Sequence, residues 1–243
     1  MALIEKLTNI ADAIREKTGD TESLTLDGMA GAIPDVYAQG EQDAASRYWD
    51  EFQGYGRKTE YSSSLRSSDF KYVKLRYPVN GNVSYMFQGC TCEEIDIHGN
   101  IKDPAYTFNT GTVKKIRCNL VINAGGRITY MFHQARLLEE IGTLDITNAG
   151  PGYHDTAFGF CDSLKKVTFT GEILYNIKLD SSPLDVDSMK SVITHLKNYS
   201  GTENEYKYYV RFKSNCWNAL EADSVSPTGT TWAEYVDSLG WTT

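Results

Sequence analysis

Ser84–Ile97 reads SYMFQGCTCEEIDI, and the same phrase returns three times: YTFNTGTVKKIRC at 106–118, TYMFHQARLLEEI at 129–141 and TAFGFCDSLKKVTF at 156–169. Each copy opens on an aromatic or methionine anchor. Each then runs through a small-residue step into a short alternating segment such as Ile95-Asp96-Ile97 or Val167-Thr168-Phe169. Alternation of apolar and polar residues with period two is the mark of a strand buried on one face. Val73-Lys74-Leu75 and Leu144-Asp145-Ile146 show the same alternation.

With Val73, Ile95, Ile116, Ile141 and Val167 as equivalent points, the spacings are about 22, 21, 25 and 26 residues, inside the range of leucine-rich repeats. A unit of that length supplies one strand and a return segment, and only stacking of copies buries its apolar face. Gly125-Gly126 and Asn148–Gly152 mark insertions on the return side of the two looser units.

The flanks read differently. Leu3, Leu7, Ile10 and Ile14 recur at helical spacing among charges, giving a helix with one narrow apolar seam. Two heptads of that kind suit a coiled coil but do not fix its oligomer number. A second helix is expected from about Asp35 to Phe52, closing at Gly54-Tyr55-Gly56, followed by a polar linker over 57–68. After Pro183, the spacing of Leu184, Met189, Val192, Ile193 and Leu196 predicts a helix with Asp185 as N-cap. Glu205–Phe212 (EYKYYVRF) reads as a strand, and Cys216–Ala222 and Trp232–Leu239 as short helices. Trp217, Trp232 and Trp241 supply bulk to close the open end of a solenoid.

The expected fold is therefore an α+β repeat protein. A helical attachment or oligomerisation segment (1–56) precedes a short, irregular leucine-rich-repeat solenoid (57–180) and an α/β capping unit (181–243).

The net charge of −8, with no block of lysine and arginine, argues against a nucleic-acid footprint. No apolar run approaches membrane-spanning length, and MALIEKLTNIADAIREK lacks the apolar centre of a secretion signal, so neither membrane insertion nor export is expected. Sixteen tyrosines serve either packing between repeats or a polar recognition surface. The five cysteines include no Cys-x-x-Cys pair and read as reduced packing residues, Cys90 and Cys92 among them.

His98, His133, His154 and His195 have no metal-ligand spacing, and there is no nucleophile elbow, phosphate loop or dinucleotide fingerprint. No catalytic residue, metal or cofactor is expected. With 32 acids, chance carboxylate pairs are numerous, which keeps a polysaccharide hydrolase open as a lesser alternative. The outward positions on the strand ladder are the binding candidates: Lys74, Arg76, Asp96, His98, Arg117, Asn119, Asp145, Thr147, Thr168 and Thr170. A solvated face of mixed charge explains the same residues without a ligand.

FGFCDSLKKVTF and SYMFQGCTCEEIDI resemble the irregular BspA-type leucine-rich repeats of bacterial surface proteins. LTNIADAIREKTGDTESLTLDGMAGAIPDVYAQG, and in lesser degree RYWDEFQGYGRKTEY and DVDSMKSVITHLKNYSGT, resemble segments of tail proteins of Gram-positive phages and prophages. The resemblance implies a non-enzymatic tail component (fibre, tip or baseplate-associated), made in the host cytoplasm and incorporated in the virion. It implies a homo-oligomer, a trimer for preference, assembled through Leu3, Leu7, Ile10 and Ile14. Its partners would be other tail proteins and a bacterial surface glycan or protein. The alternative is a cell-surface adhesin of the same repeat type. Leucine is sparse in the repeats and EYKYYVRF is unusually aromatic, so binding specificity does not carry over.

Overall fold

The computed structural model describes residues 48–49, 62–70, 72–75, 78–151 and 154–243. The expected coiled-coil seam of Leu3, Leu7, Ile10 and Ile14, most of the second helix and Arg76 lie outside them. What is described belongs to the compact unit Trp49–Thr243, with strand β1 (Tyr48–Trp49) at its N-terminal boundary. That strand corrects the helix expected through Phe52 at these two positions, where consecutive aromatics favour an extended chain.

The unit is a parallel β-solenoid of about four turns. Strands β2 (Tyr72–Lys74), β4 (Glu94–Asp103), β5 (Lys115–Ile122), β6 (Glu140–Asp145) and β7 (Lys166–Thr170) lie side by side, and β3 (Val79–Asn82) pairs with the second half of β4. Val73, Ile95, Ile116 and Ile141 are in direct register from strand to strand, and the Glu140–Lys166 pair carries the register on to Val167. The residues chosen as equivalent from sequence are thus structural equivalents. Each is almost wholly buried, so the apolar row is continuous along the axis.

A second backbone ladder runs along the return segments. Phe87 N donates to Thr107 O at 2.9 Å, Phe108 N to Met131 O at 2.8 Å and Phe132 N to Ala157 O at 2.8 Å. This ladder places Phe87, Phe108, Phe132 and Phe158 in one column, with ring centroids 5.5, 5.3 and 5.2 Å apart. The aromatic anchors noticed in the sequence are this column.

The return turns hold several non-glycine residues in the left-handed region. Gly89 at φ 66° is matched in the next two coils by Thr110 at φ 58° and Gln134 at φ 61°. A β-branched residue is strained there. The Thr110 side chain is exposed and makes no hydrogen bond among the described residues. Thr110→Gly is therefore expected to stabilise the fold by about 0.5–1 kcal/mol, a rise in Tm of a few degrees by calorimetry.

The last strand does not present a bare edge. Helix α1 (Val186–Thr194) lies against β7, with the Asp185 side chain accepting from Ser188 N as its N-cap. The hydroxyls of Ser188 and Ser191 accept hydrogen bonds from Val167 N at 3.0 Å and Phe169 N at 2.8 Å. Two serines one helical turn apart thus replace the carbonyls a further strand would offer, which blunts the edge against pairing with another chain.

Strands β8 (Ile177–Leu179) and β9 (Val210–Phe212) then form a parallel pair, followed by α2 (Ser214–Asp223) and α3 (Trp232–Ser238). Trp241 is buried at this end, and its indole donates to Lys197 O. EYKYYVRF forms a strand only over its last three residues, with Tyr209 in a parallel bridge to Thr242. Tyr206 has φ 58°, and its amide bonds to Gly240 O within a turn.

Cys90 and Cys92 form a disulfide, which corrects the reading of both as free thiols. The pair is fully buried beneath Ser68, whose hydroxyl donates to Cys90 Sγ. Bridging residues so close in sequence removes little chain entropy. Cys118, Cys161 and Cys216 are free and buried, and burial pushes the Cys118 and Cys161 thiols up to about 12, so they are inert at neutral pH. His154 is buried with Nε2 against Gly150 O, and burial lowers its pKa; the same cause lowers that of His133. Below about pH 6.5 the unfolded chain binds protons that these folded histidines resist, so stability falls as pH drops through that range. Thermal melts at pH 7.5 and 5.0 should show the loss, and His154→Gln should reduce it.

Candidate functional site

Polar side chains gather on the strand face and at a neighbouring corner. On the face, Lys74, Asp96 and Arg117 share one row, and His98, Asn119, Thr143 and Thr168 the next. Asp145 and Thr170 pair one row further on.

The charges of this face are largely satisfied by one another. Asp96 is 3.4 Å from Lys74 Nζ and 2.7 Å from His98 Nε2; Arg117 holds Glu94, and Lys115 holds Glu140 at 2.6 Å. Each such exposed pair is worth under about 1 kcal/mol, but together they leave little unpaired charge on the first two rows.

Thr147 is not on the face. It sits in a turn after β6, where its amide donates to Asp145 Oδ1 and its hydroxyl accepts from Glu172 N at 2.7 Å. Thr143 is the outward residue that sequence alternation missed. The register shifts between Ile116 and Asn119, and again between Glu140 and Thr143, so strict alternation fails locally.

At the C-terminal ends of β3, β4 and β5 lies an open groove of about 690 Å³, lined by Asn80, Gly81, Asn82, Asn100, Lys102, Asp103 and Asn123. None of the face candidates among the described residues lines it. Asparagine recurs here because each coil must turn a corner, and its short amide bonds to nearby backbone. Asn82 Oδ1 accepts from Ser84 N at 2.9 Å, Asn80 Oδ1 from Asn100 N at 3.4 Å, and Asn123 Nδ2 donates to Asn100 O at 3.4 Å.

Asn100 lends only its main chain to these bonds, and its side chain is exposed. Asp103 is occupied by Ala105 N and by Arg127, 2.8 Å away. Lys102 is exposed and has no carboxylate partner among the described residues.

The groove therefore offers amides, which donate and accept alike, with one cation and one neutralised acid. That chemistry suits a ligand rich in hydroxyl groups. The signal in the sequence was the asparagine that recurs late in a strand or just after it, in VNGN (79–82), HGN (98–100) and INAG (122–125). Among the described residues no three histidine, cysteine or acidic side chains are grouped to hold a metal, and no helix is long and apolar enough to cross a membrane.

The fold and groove together describe a parallel β-solenoid with a polar corner groove. Comparison with protein-family models, with curated proteins and with solved structures finds no match.

Proposed function

We propose that this chain is a non-enzymatic recognition component of a phage tail. On this reading its solenoid is of leucine-rich-repeat type and binds a bacterial surface glycan in the asparagine-lined groove. The groove carries the proposal: exposed amides beside a single unpaired lysine match hydroxyl-bearing ligands better than they match nucleic acid or an acidic peptide, which call for clustered positive charge. The tail assignment draws on the resemblance of residues 3–40 to tail-protein segments. Assembly, a trimer for preference, is assigned to the seam of Leu3, Leu7, Ile10 and Ile14.

The test is saturable binding of the labelled full-length protein to a panel of Gram-positive cells, before and after their wall glycans are stripped. Strain-selective binding that is lost on stripping, and at least tenfold weaker for Asn100→Ala/Lys102→Ala, is the expected result. Equal binding by the groove variant, or none to any strain, overturns the reading. Sedimentation of the full chain against Leu7→Asp/Ile10→Asp tests the assembly seam, with loss of the oligomer expected.

A further inference from the structure

Tyr85, Tyr106 and Tyr130 occupy the same position in three successive return coils, and all three lie in the left-handed region, at φ 59°, 60° and 54°. A bulky residue there costs about 1–2 kcal/mol, and the preceding coil places the small Ser63 at the corresponding position. Strain held at consecutive half-exposed positions points to a task for the side chains.

Part of the cost is offset by stacking: the ring centroids are 4.8 Å apart for Tyr85–Tyr106 and 5.1 Å for Tyr106–Tyr130. Stacking covers the ring faces between them, and the Arg66 guanidinium lies over the Tyr85 ring at 5.8 Å. What the row offers a ligand is therefore ring edges and a line of phenol hydroxyls, none of which has a hydrogen-bond partner among the described residues.

Burial first, and then the flanking phenols, raises the pKa of Tyr106. The row also adjoins the groove. Tyr85 follows Asn82 of the groove by three residues, and Tyr106 likewise follows Asp103, whose carboxylate Arg127 holds.

We infer that the tyrosine row is a second contact zone for the glycan, which lies as an extended neutral chain along the solenoid axis, hydrogen-bonded by Tyr85, Tyr106 and Tyr130 and, past the Arg127–Asp103 pair, by the groove amides. The tyrosine rings are 4.8 and 5.1 Å apart, centroid to centroid, so an extended chain lying along the axis passes them in turn. The inference rests on the groove reading and adds a length requirement to it: a disaccharide fits the groove alone, and a longer chain engages the row as well.

The experiment is calorimetric titration of the full-length protein with β-1,4-linked N-acetylglucosamine and glucose oligomers, as dimers and hexamers, and with poly(glycerol phosphate). One of the hexamers is expected to bind at least tenfold more tightly than its dimer. Tyr85→Phe/Tyr106→Phe/Tyr130→Phe, which keeps the stacked rings, is expected to abolish that advantage with Tm nearly unchanged. Asn100→Ala/Lys102→Ala is expected to weaken both lengths.

Hexamer binding that the phenylalanine variant retains in full overturns the row and leaves the groove standing. A collapse of Tm in that variant makes the hydroxyls structural and overturns the row as well. If no neutral oligomer binds, or only the phosphate polymer does, both the row and the neutral-glycan groove fall.

Discussion

Gly99→Ala is expected to destabilise the protein by at least about 4 kcal/mol. Gly99 sits in β4 at φ 134°, a conformation closed to side-chain-bearing residues, and an added Cβ would lie 2.0 Å from Val79 O and 2.7 Å from Val79 N. Those atoms are backbone of a paired strand, so relief requires β3 to move off β4. Val79 is buried, and β3 carries Asn80 and Asn82 into the groove, so the variant should lose core packing and the binding site together.

Two controls separate the causes. Gly125→Ala has φ 75° but nothing within 4 Å of the new Cβ, and should cost only about 1–2 kcal/mol of conformational strain. Gly142→Ala meets Cys118 O at 2.5 Å without a positive φ, and isolates the clash. Urea unfolding followed by circular dichroism ranks the three. A Gly99→Ala protein as stable as Gly125→Ala would show that the close β3–β4 approach does not exist in solution.

Phe132→Ala should cost about 3–5 kcal/mol, the usual range for truncating a buried aromatic ring. Phe132 is wholly inaccessible and is stacked on both faces, by Phe108 at an interplanar angle of 4° and by Phe158 at 19°. Removing it leaves a void between two coils that are also joined through backbone bonds on either side, so the neighbours have little freedom to collapse into the gap. Phe132→Leu retains most of the volume and should cost less than half as much. The measurement is the urea midpoint at unchanged m-value. A loss under about 1 kcal/mol would show that the column is not packed as a continuous spine.

The repeat was legible because two local signals coincide. Alternation in Ile95-Asp96-Ile97 or Val167-Thr168-Phe169 identifies a strand, and recurrence of aromatic anchors such as Phe87 and Phe108 marks the opposite wall. Both depend on each side chain's preference for burial, which is written residue by residue. Helix α1 was legible for the same reason, with Asp185 capping it as expected.

What was not legible depends on partners distant in the chain. The bulge that exposes Thr143 arises from the fit of β6 between two neighbours. The role of Ser188 and Ser191 as acceptors for β7 exists only because the helix lies on that edge. The asparagines became a groove only when the coils stacked them.

By itself the sequence determined the period, the alternating segments of the repeat strands, the buried row from Val73 to Val167 and the helical character of the C-terminal segments, since hydrophobic periodicity needs no knowledge of neighbours. Only the tertiary structure decided which polar residues meet. Stacking coils at a fixed rise converts a once-per-repeat residue into a line of side chains. Whether that line is mutually neutralised, as Lys74 and Asp96 are, or left open to a ligand, as Asn100 is, follows from register and corner geometry.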